Sequence, residues 1–201
     1  MAKRYQPMDD DLFSVDTVVA NANDTVILSD DHVPARADWT VRYHVAKNLN
    51  TPPEILTQLS TDVDPHVRLA VSVNPSTPID TLVLMSSGKD PMGRQGAAAN
   101  PSTPIDVLHQ LSDDYDSIVR QSVAWNPNTP PPVLIRLSGD ADPHVRRGVA
   151  KNPNTPSPIL VRLSGDTNRL VLQGLETNPN TPPETLLQLE ALEVVYQVTE
   201  S

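Results

Sequence analysis

Cysteine is absent from the 201 residues, and aromatic side chains are scarce: two Trp, four Tyr and one Phe. Without thiols the chain can build no disulfide framework, thiolate zinc site, cysteine-ligated iron–sulfur cluster or cysteine nucleophile. With so few rings, an ordinary globular core built around aromatic anchors is not expected. No apolar run approaches the ~18 residues that a membrane span needs. The acidic start, through Asp9-Asp-Asp11, lacks the apolar stretch of a secretory signal. The expectation is a cytoplasmic protein without membrane contact. Bases are the minority charge, 15 against 25 acids, for a net charge of −10.

What the chain has in excess is proline, 21 residues, about twice the usual share of roughly 5%. These prolines are placed, not scattered. The segment Asn-Pro-(Asn/Ser)-Thr-Pro begins at Asn74, Asn100, Asn126, Asn152 and Asn178, and Asn48-Leu-Asn-Thr-Pro52 is its first copy, so the period is 26 residues. Seventeen of the 21 prolines fall in four columns of this repeat, typified by Pro75, Pro52, Pro53 and Pro65. Such regularity excludes disorder from residue 38 to about residue 190.

Each unit reads as two short helices. Thr51 is the expected N-cap of the first, with Pro52 at the first helical position and Glu54 closing a capping box. Leu56 and Leu59 supply its apolar face. The second helix opens at Asp64-Pro65 and buries a stripe of Val67 and Val71, repeated as Val119/Val123 and Val145/Val149. Between the valines runs a column of small residues, Ala70, Gly96, Ser122, Gly148 and Gly174, which implies close helix-on-helix approach. Asn-Pro then forces the backbone out of the helix. So small a unit cannot bury its apolar face alone, but a stack of them can. The expected fold is therefore an all-α, right-handed helical-repeat solenoid of about five and a half two-helix repeats over residues 38–190. Residues 1–37 are expected to form an irregular N-terminal cap with a mobile first dozen, and residues 191–201 an acidic C-terminal cap or tail.

The stretch Asn126-Pro-Asn-Thr-Pro-Pro-Pro-Val-Leu-Ile-Arg-Leu-Ser-Gly-Asp140, followed by Asp142-Pro-His-Val-Arg-Arg-Gly-Val-Ala150, resembles the leucine-rich repeat variant family. The resemblance extends over about three quarters of the chain. It implies a superhelix in which α-helices alternate with short α or 3₁₀ helices. A founding member of that family carries an iron–sulfur cluster on cysteines; with no cysteine, this chain cannot share it, and no cofactor is expected.

Several columns invite a functional reading. The six-fold Asn column is assigned to satisfying backbone groups at the turns. Arg42, Arg68, Arg94, Arg120 and Arg146 each follow an Asp by four residues, and the fifth full repeat carries Leu172 and Asn168 at these positions. The joint loss suggests that acid and base pair within one helix, with the Asp also capping it. The doublets Asp62/Asp64, Asp114/Asp116 and Asp140/Asp142 lack the spacing of a calcium loop and are assigned to solvation and capping. Ser86-Ser-Gly-Lys-Asp90 fails as a phosphate loop, because position 83 is Val and Asp90 follows the Lys. The five histidines share no metal-ligand spacing, and no catalytic constellation stands out, so an enzyme is not expected.

Two features break the repeat. Trp125 occupies a column otherwise made of Lys47, Val73, Ala99, Lys151 and Thr177, and Trp39 replaces the Pro65-type residue. Tryptophan is a preferred interface anchor. Trp39 is assigned mainly to covering the end of the stack, Trp125 to a partner or to self-association. Charge is also uneven: residues 126–175 carry a net +3 through Arg136, Arg146, Arg147, Lys151, Arg162 and Arg169, whereas the flanking segments are acidic. The expected function is a non-enzymatic protein–protein interaction scaffold using Trp125 and these bases. Nucleic-acid or polyanion binding through the same basic segment is the alternative. Finally, Gly93 and Ala97 replace the valine stripe in the second repeat, which predicts a locally weaker unit over residues 88–99.

Overall fold

The computed structural model describes residues 38–199. The expected cap of residues 1–37 lies outside the described residues. In chain order the first helices are α1 (Trp39–Lys47), α2 (Pro53–Leu59), α3 (Pro65–Val73), α4 (Ile79–Ser86), α5 (Pro91–Ala99) and α6 (Ile105–Leu111). They continue as α7 (Ser117–Trp125), α8 (Pro131–Leu137), α9 (Pro143–Lys151), α10 (Ser157–Leu163), α11 (Arg169–Glu176) and α12 (Pro183–Thr199). Every described helix is α, including the short ones, where the resemblance allowed 3₁₀. The i−3 bond is confined to turns and ends, as in Ile55 N–H to Pro52 O at 3.0 Å. The last helix runs unbroken to Thr199.

The odd-numbered helices pack directly on one another in sequence, α1 on α3 through α9 on α11, and form a long-helix layer. The even-numbered helices α2 to α10 form a second, short-helix layer that packs mainly against its flanking long helices, and the longer α12 packs on α11. Between the layers lies a thin seam of aliphatic side chains, among them Leu56, Val71, Leu108, Val123, Leu134, Val149 and Leu160, all fully buried. The fold is an all-α helical-repeat solenoid.

The small column has the role expected of it. A Cβ on Gly148 would stand 2.8 Å from the Ala124 Cβ, and one on Gly174 2.9 Å from the Ala150 Cβ; one on Gly96 would collide with the Ser72 hydroxyl. Each long helix opens on Asp38, Asp64, Asp90, Asp116, Asp142 or Asn168, whose side chain accepts from the backbone N–H two residues on. Asn168 is thus an N-cap as good as the acids it replaces.

Three expectations, on Thr51, the Arg column and the acid doublets, need correction, and the backbone-satisfying role of the Asn column is extended. Thr51 is not an N-cap: Pro52 caps α2 with extended backbone, and the helix starts one residue later. The Thr51 hydroxyl turns back and donates to Val45 O at 2.5 Å, a carbonyl in the last turn of α1 that otherwise accepts only from the C-cap N–H of Asn48, at 3.2 Å. Thr77, Thr103, Thr129, Thr155 and Thr181 repeat this bond at 2.5–2.7 Å.

The Asn column reaches beyond its own turn. Asn126 accepts from Asn128 N–H at 2.9 Å with Oδ1, while Nδ2 donates to Ala98 O and Asn100 O of the preceding repeat, both at 2.8 Å. Asn74, Asn100, Asn152 and Asn178 do the same. The column is an inter-repeat clasp.

The Arg column does not pair with the Asp four residues before it. Arg42, Arg94, Arg120 and Arg146 each donate Nε to an Asp twenty residues ahead, namely Asp62, Asp114, Asp140 and Asp166, at 2.6–2.7 Å. In the second repeat Gly88 stands where that Asp would be, and Arg68 takes Asp90 instead at 2.7 Å. The first acid of each doublet is therefore a largely buried ion-pair partner, not a solvated loop residue. Burial by itself would raise the Asp62, Asp140 and Asp166 carboxyls. The Arg hydrogen bond, a backbone N–H two residues on and the guanidinium charge outweigh it and hold all three below the ordinary carboxylate value. Asp90 is lowered in the same way by Arg68 and the N–H groups of Met92 and Gly93.

Candidate functional site

In α3, α7 and α9 the valine stripe faces the seam and the ladder Arg faces the next repeat, with Gly93, Ala97 and Arg94 in these places on α5. What remains points outward at positions i, i+3 and i+7, which share one helical face. On α7 these are Ile118, Gln121 and Trp125; on α5, Met92, Gln95 and Ala99; on α9, His144, Arg147 and Lys151. Between α5 and α7 lies a groove of about 210 Å³ lined by Gln95, Ala99, Ile118, Gln121 and Trp125. Trp125 is 43% exposed and Ile118 51%. Neither glutamine amide takes part in a hydrogen bond among the described residues.

Trp125 is held, not loose. Its Cδ1 lies 3.0 Å from where a Gly148 Cβ would be, so the missing side chain on α9 gives the indole its seat. Lys151 Nζ stands 5.5 Å above the ring, a cation–π contact contributing about 0.5–1 kcal/mol at an exposed site. One turn earlier on α9, Arg147 buries its Nε with no acceptor. The ladder arginines, by contrast, all give Nε to a carboxylate.

The other singled-out residues do not converge on this groove. Arg136 lies on α8 in the short-helix layer, paired with Asp113 at 2.6 Å and bonded to the Ser112 hydroxyl. Arg162, one repeat later on α10, makes the equivalent bond to Ser138. Arg146 is engaged by Asp166, and Arg169 is exposed at the start of α11. The six bases of residues 126–175 thus divide between two layers and an ion-pair ladder, and they form no single basic patch. Trp39, 45% exposed, lies at the first described helix against Tyr43 and His66, with centroids 6.4 and 5.8 Å away.

Sequence reasoning missed Gln95, Gln121, Ile118 and Ala99. Their signal was available in the outward columns of successive helices, which the buried Val and small columns overshadowed. The Ser86–Asp90 stretch lines a second, open groove of about 520 Å³. There the carbonyls of Gly88 and Lys89 accept from Arg94 Nη1 at 3.0 and 3.1 Å. A phosphate loop needs N–H groups converging instead. Arg94 is further engaged by Asp114 and lies 4.7 Å from the Tyr115 ring. Among the described residues no group of three or more His, Asp or Glu is placed to hold a metal, and no helix is long and apolar enough to cross a membrane.

The family model described as leucine rich repeat variant matches residues 143–167, about one repeat. A solved structure described as a leucine-rich repeat variant with a novel repetitive protein structural motif is 28% identical, with a TM-score of 0.52 over 77% of this chain. The match spans 66% of that chain, just under two thirds of its length. No curated protein matches. Both findings bear out the resemblance to the leucine-rich repeat variant family.

Proposed function

We propose that this leucine-rich-repeat-variant solenoid is a non-enzymatic protein-interaction scaffold that docks a partner protein on its long-helix face, with Trp125 as the anchor. One observation carries the reading: a 43%-exposed tryptophan, fixed over Gly148 and beneath Lys151, forms one wall of a groove between neighbouring repeats. Large, pre-ordered aromatic side chains bury much area at little entropic cost and dominate interface energetics. A repeat stack offers such a groove on a rigid, extended surface. The polyanion alternative draws little support from the geometry. Phosphate binding gains from a continuous basic track, and these bases are divided between two layers.

The test is capture of partners from a native, nuclease-treated lysate by the tagged full chain and by Trp125→Ala. Proteins retained by the wild type are expected to be lost by the variant, with the melting temperature changed by less than about 3 °C. A large fall in melting temperature would show that Trp125 belongs to the core and would remove it as the anchor.

A further inference from the structure

We infer that the occupant of the Trp125 groove is an extended acidic peptide segment, with one apolar side chain seated in the groove and a carboxylate two or three residues away on Arg147 and Lys151. This inference rests on the docking reading above and specifies the chemistry of the partner.

Charge is the first argument. The whole chain carries a net −10, yet α5, α7 and α9 contain no acidic residue. Their ladder bases Arg94, Arg120 and Arg146 are matched by Asp114, Asp140 and Asp166. Arg147 and Lys151 are the bases of these helices outside the ladder, and they stand one turn apart on α9, with the Lys151 ammonium over the indole. A carboxylate arriving there meets two cations on three successive long helices that hold no acid, whereas an arriving base meets repulsion. The first long-helix acid beyond them is Glu176, at the end of α11.

Size and spacing supply the second argument. About 210 Å³ accommodates one large side chain and not a helix. The Gln95 and Gln121 amides stand one repeat apart on the two walls, α5 and α7, and each presents a donor and an acceptor to a passing backbone. Packed helices lie about 8–10 Å apart, and an extended chain advances about 3.3 Å per residue. A peptide crossing the stack therefore meets successive repeats every two to three residues. Its apolar anchor lies between α5 and α7, and its acid, one spacing further on, meets the Lys151 ammonium where it lies over the Trp125 ring.

The experiment selects random twelve-residue peptides on the full chain at low salt and then measures synthetic winners by anisotropy. A Trp39→Phe background leaves Trp125 as the reporting indole. The expected winners pair Leu, Ile or Phe with Asp or Glu two or three positions away and perturb Trp125 emission. Lys151→Glu is expected to weaken them about tenfold and Lys151→Met less. Arg162→Glu, on the other layer, should leave them within about twofold; circular dichroism confirms the fold of each variant. Winners without an acid preference, or acidic winners that ignore Lys151→Glu, overturn this inference while leaving the groove as a docking site. A selection that yields no peptide sensitive to Trp125→Ala overturns the docking reading and this inference with it. Displacement of the winners by a single-stranded oligonucleotide at equal concentration also overturns it, in favour of phosphate.

Discussion

Asn126 joins three backbone groups with one side chain, two of them in the repeat before it. Truncation to Ala strands the buried Ala98 carbonyl, leaves the Asn100 carbonyl to Thr103 N–H alone and removes the acceptor for Asn128 N–H, and each unmatched group costs about 1–3 kcal/mol. Asn126→Ala is expected to destabilise by about 3 kcal/mol or more in urea unfolding; a loss below about 1 kcal/mol would mean that water takes over the clasp. Gly148 and Gly139 form a second contrast. A methyl on Gly148 meets Ala124 and Trp125, whereas one on Gly139 has only the Arg136 carbonyl, at 3.7 Å. Gly148→Ala should cost about 1–3 kcal/mol through overpacking, and Gly139→Ala about zero or slightly less. The small column was legible because steric need shows directly as residue size. The Arg partners were not, because their bonds cross to the next repeat, twenty residues on. The clue was in the column itself: Gly88 interrupts the Asp62-type series, and position 192, where the partner of residue 172 would fall, is Leu. Leu172 is explained by that absent partner and not by Asn168.

At the scale of elements, the helix starts and stops were readable from Asp-Pro and Asn-Pro. Only the first turn of the short helices was misplaced, because the Thr hydroxyl serves the helix behind it. In the second repeat the aliphatic packing thins where Gly93 and Ala97 replace the valines. The buried aliphatic core divides there into one cluster from Val45 to Met85 and another from Ala97 to Leu189. Met85 leans toward the gap, its Cε 3.8 Å from where a Gly93 Cβ would be, and fills part of the space the valine leaves. Hydrogen exchange is expected to be faster in α5 than in α9 by about tenfold or more. Equal protection of the two helices would show that Met85 restores continuity.

Over the whole molecule, the ion-pair ladder sets the acid response. Asp62, Asp90, Asp140 and Asp166 titrate below their unfolded value. Their contribution is complete above about pH 4 and drains as pH falls through the lowered folded values, where the unfolded chain binds more protons. The melting temperature is expected to stay level from pH 7 to 5 and to fall steeply below 4. Replacing a ladder pair by apolar residues, Arg120→Met with Asp140→Leu, should flatten that fall; an unchanged slope would place the acid sensitivity elsewhere. The solenoid and its seam were legible from one 26-residue ruler. The proposed docking face was less so, because outward columns carry no packing constraint and vary freely.

The clasps and the ladder share one further property: each reaches only the adjacent unit, backward by 26 and 28 residues for Asn and forward by 20 or 22 for Arg. No bond depends on the total number of units. A duplicated copy of residues 126–151 would meet, on both sides, the same donors and acceptors that its original meets. Length is thus a modular variable of this architecture, open to gain by tandem duplication, and the span of the outward long-helix face lengthens with every copy.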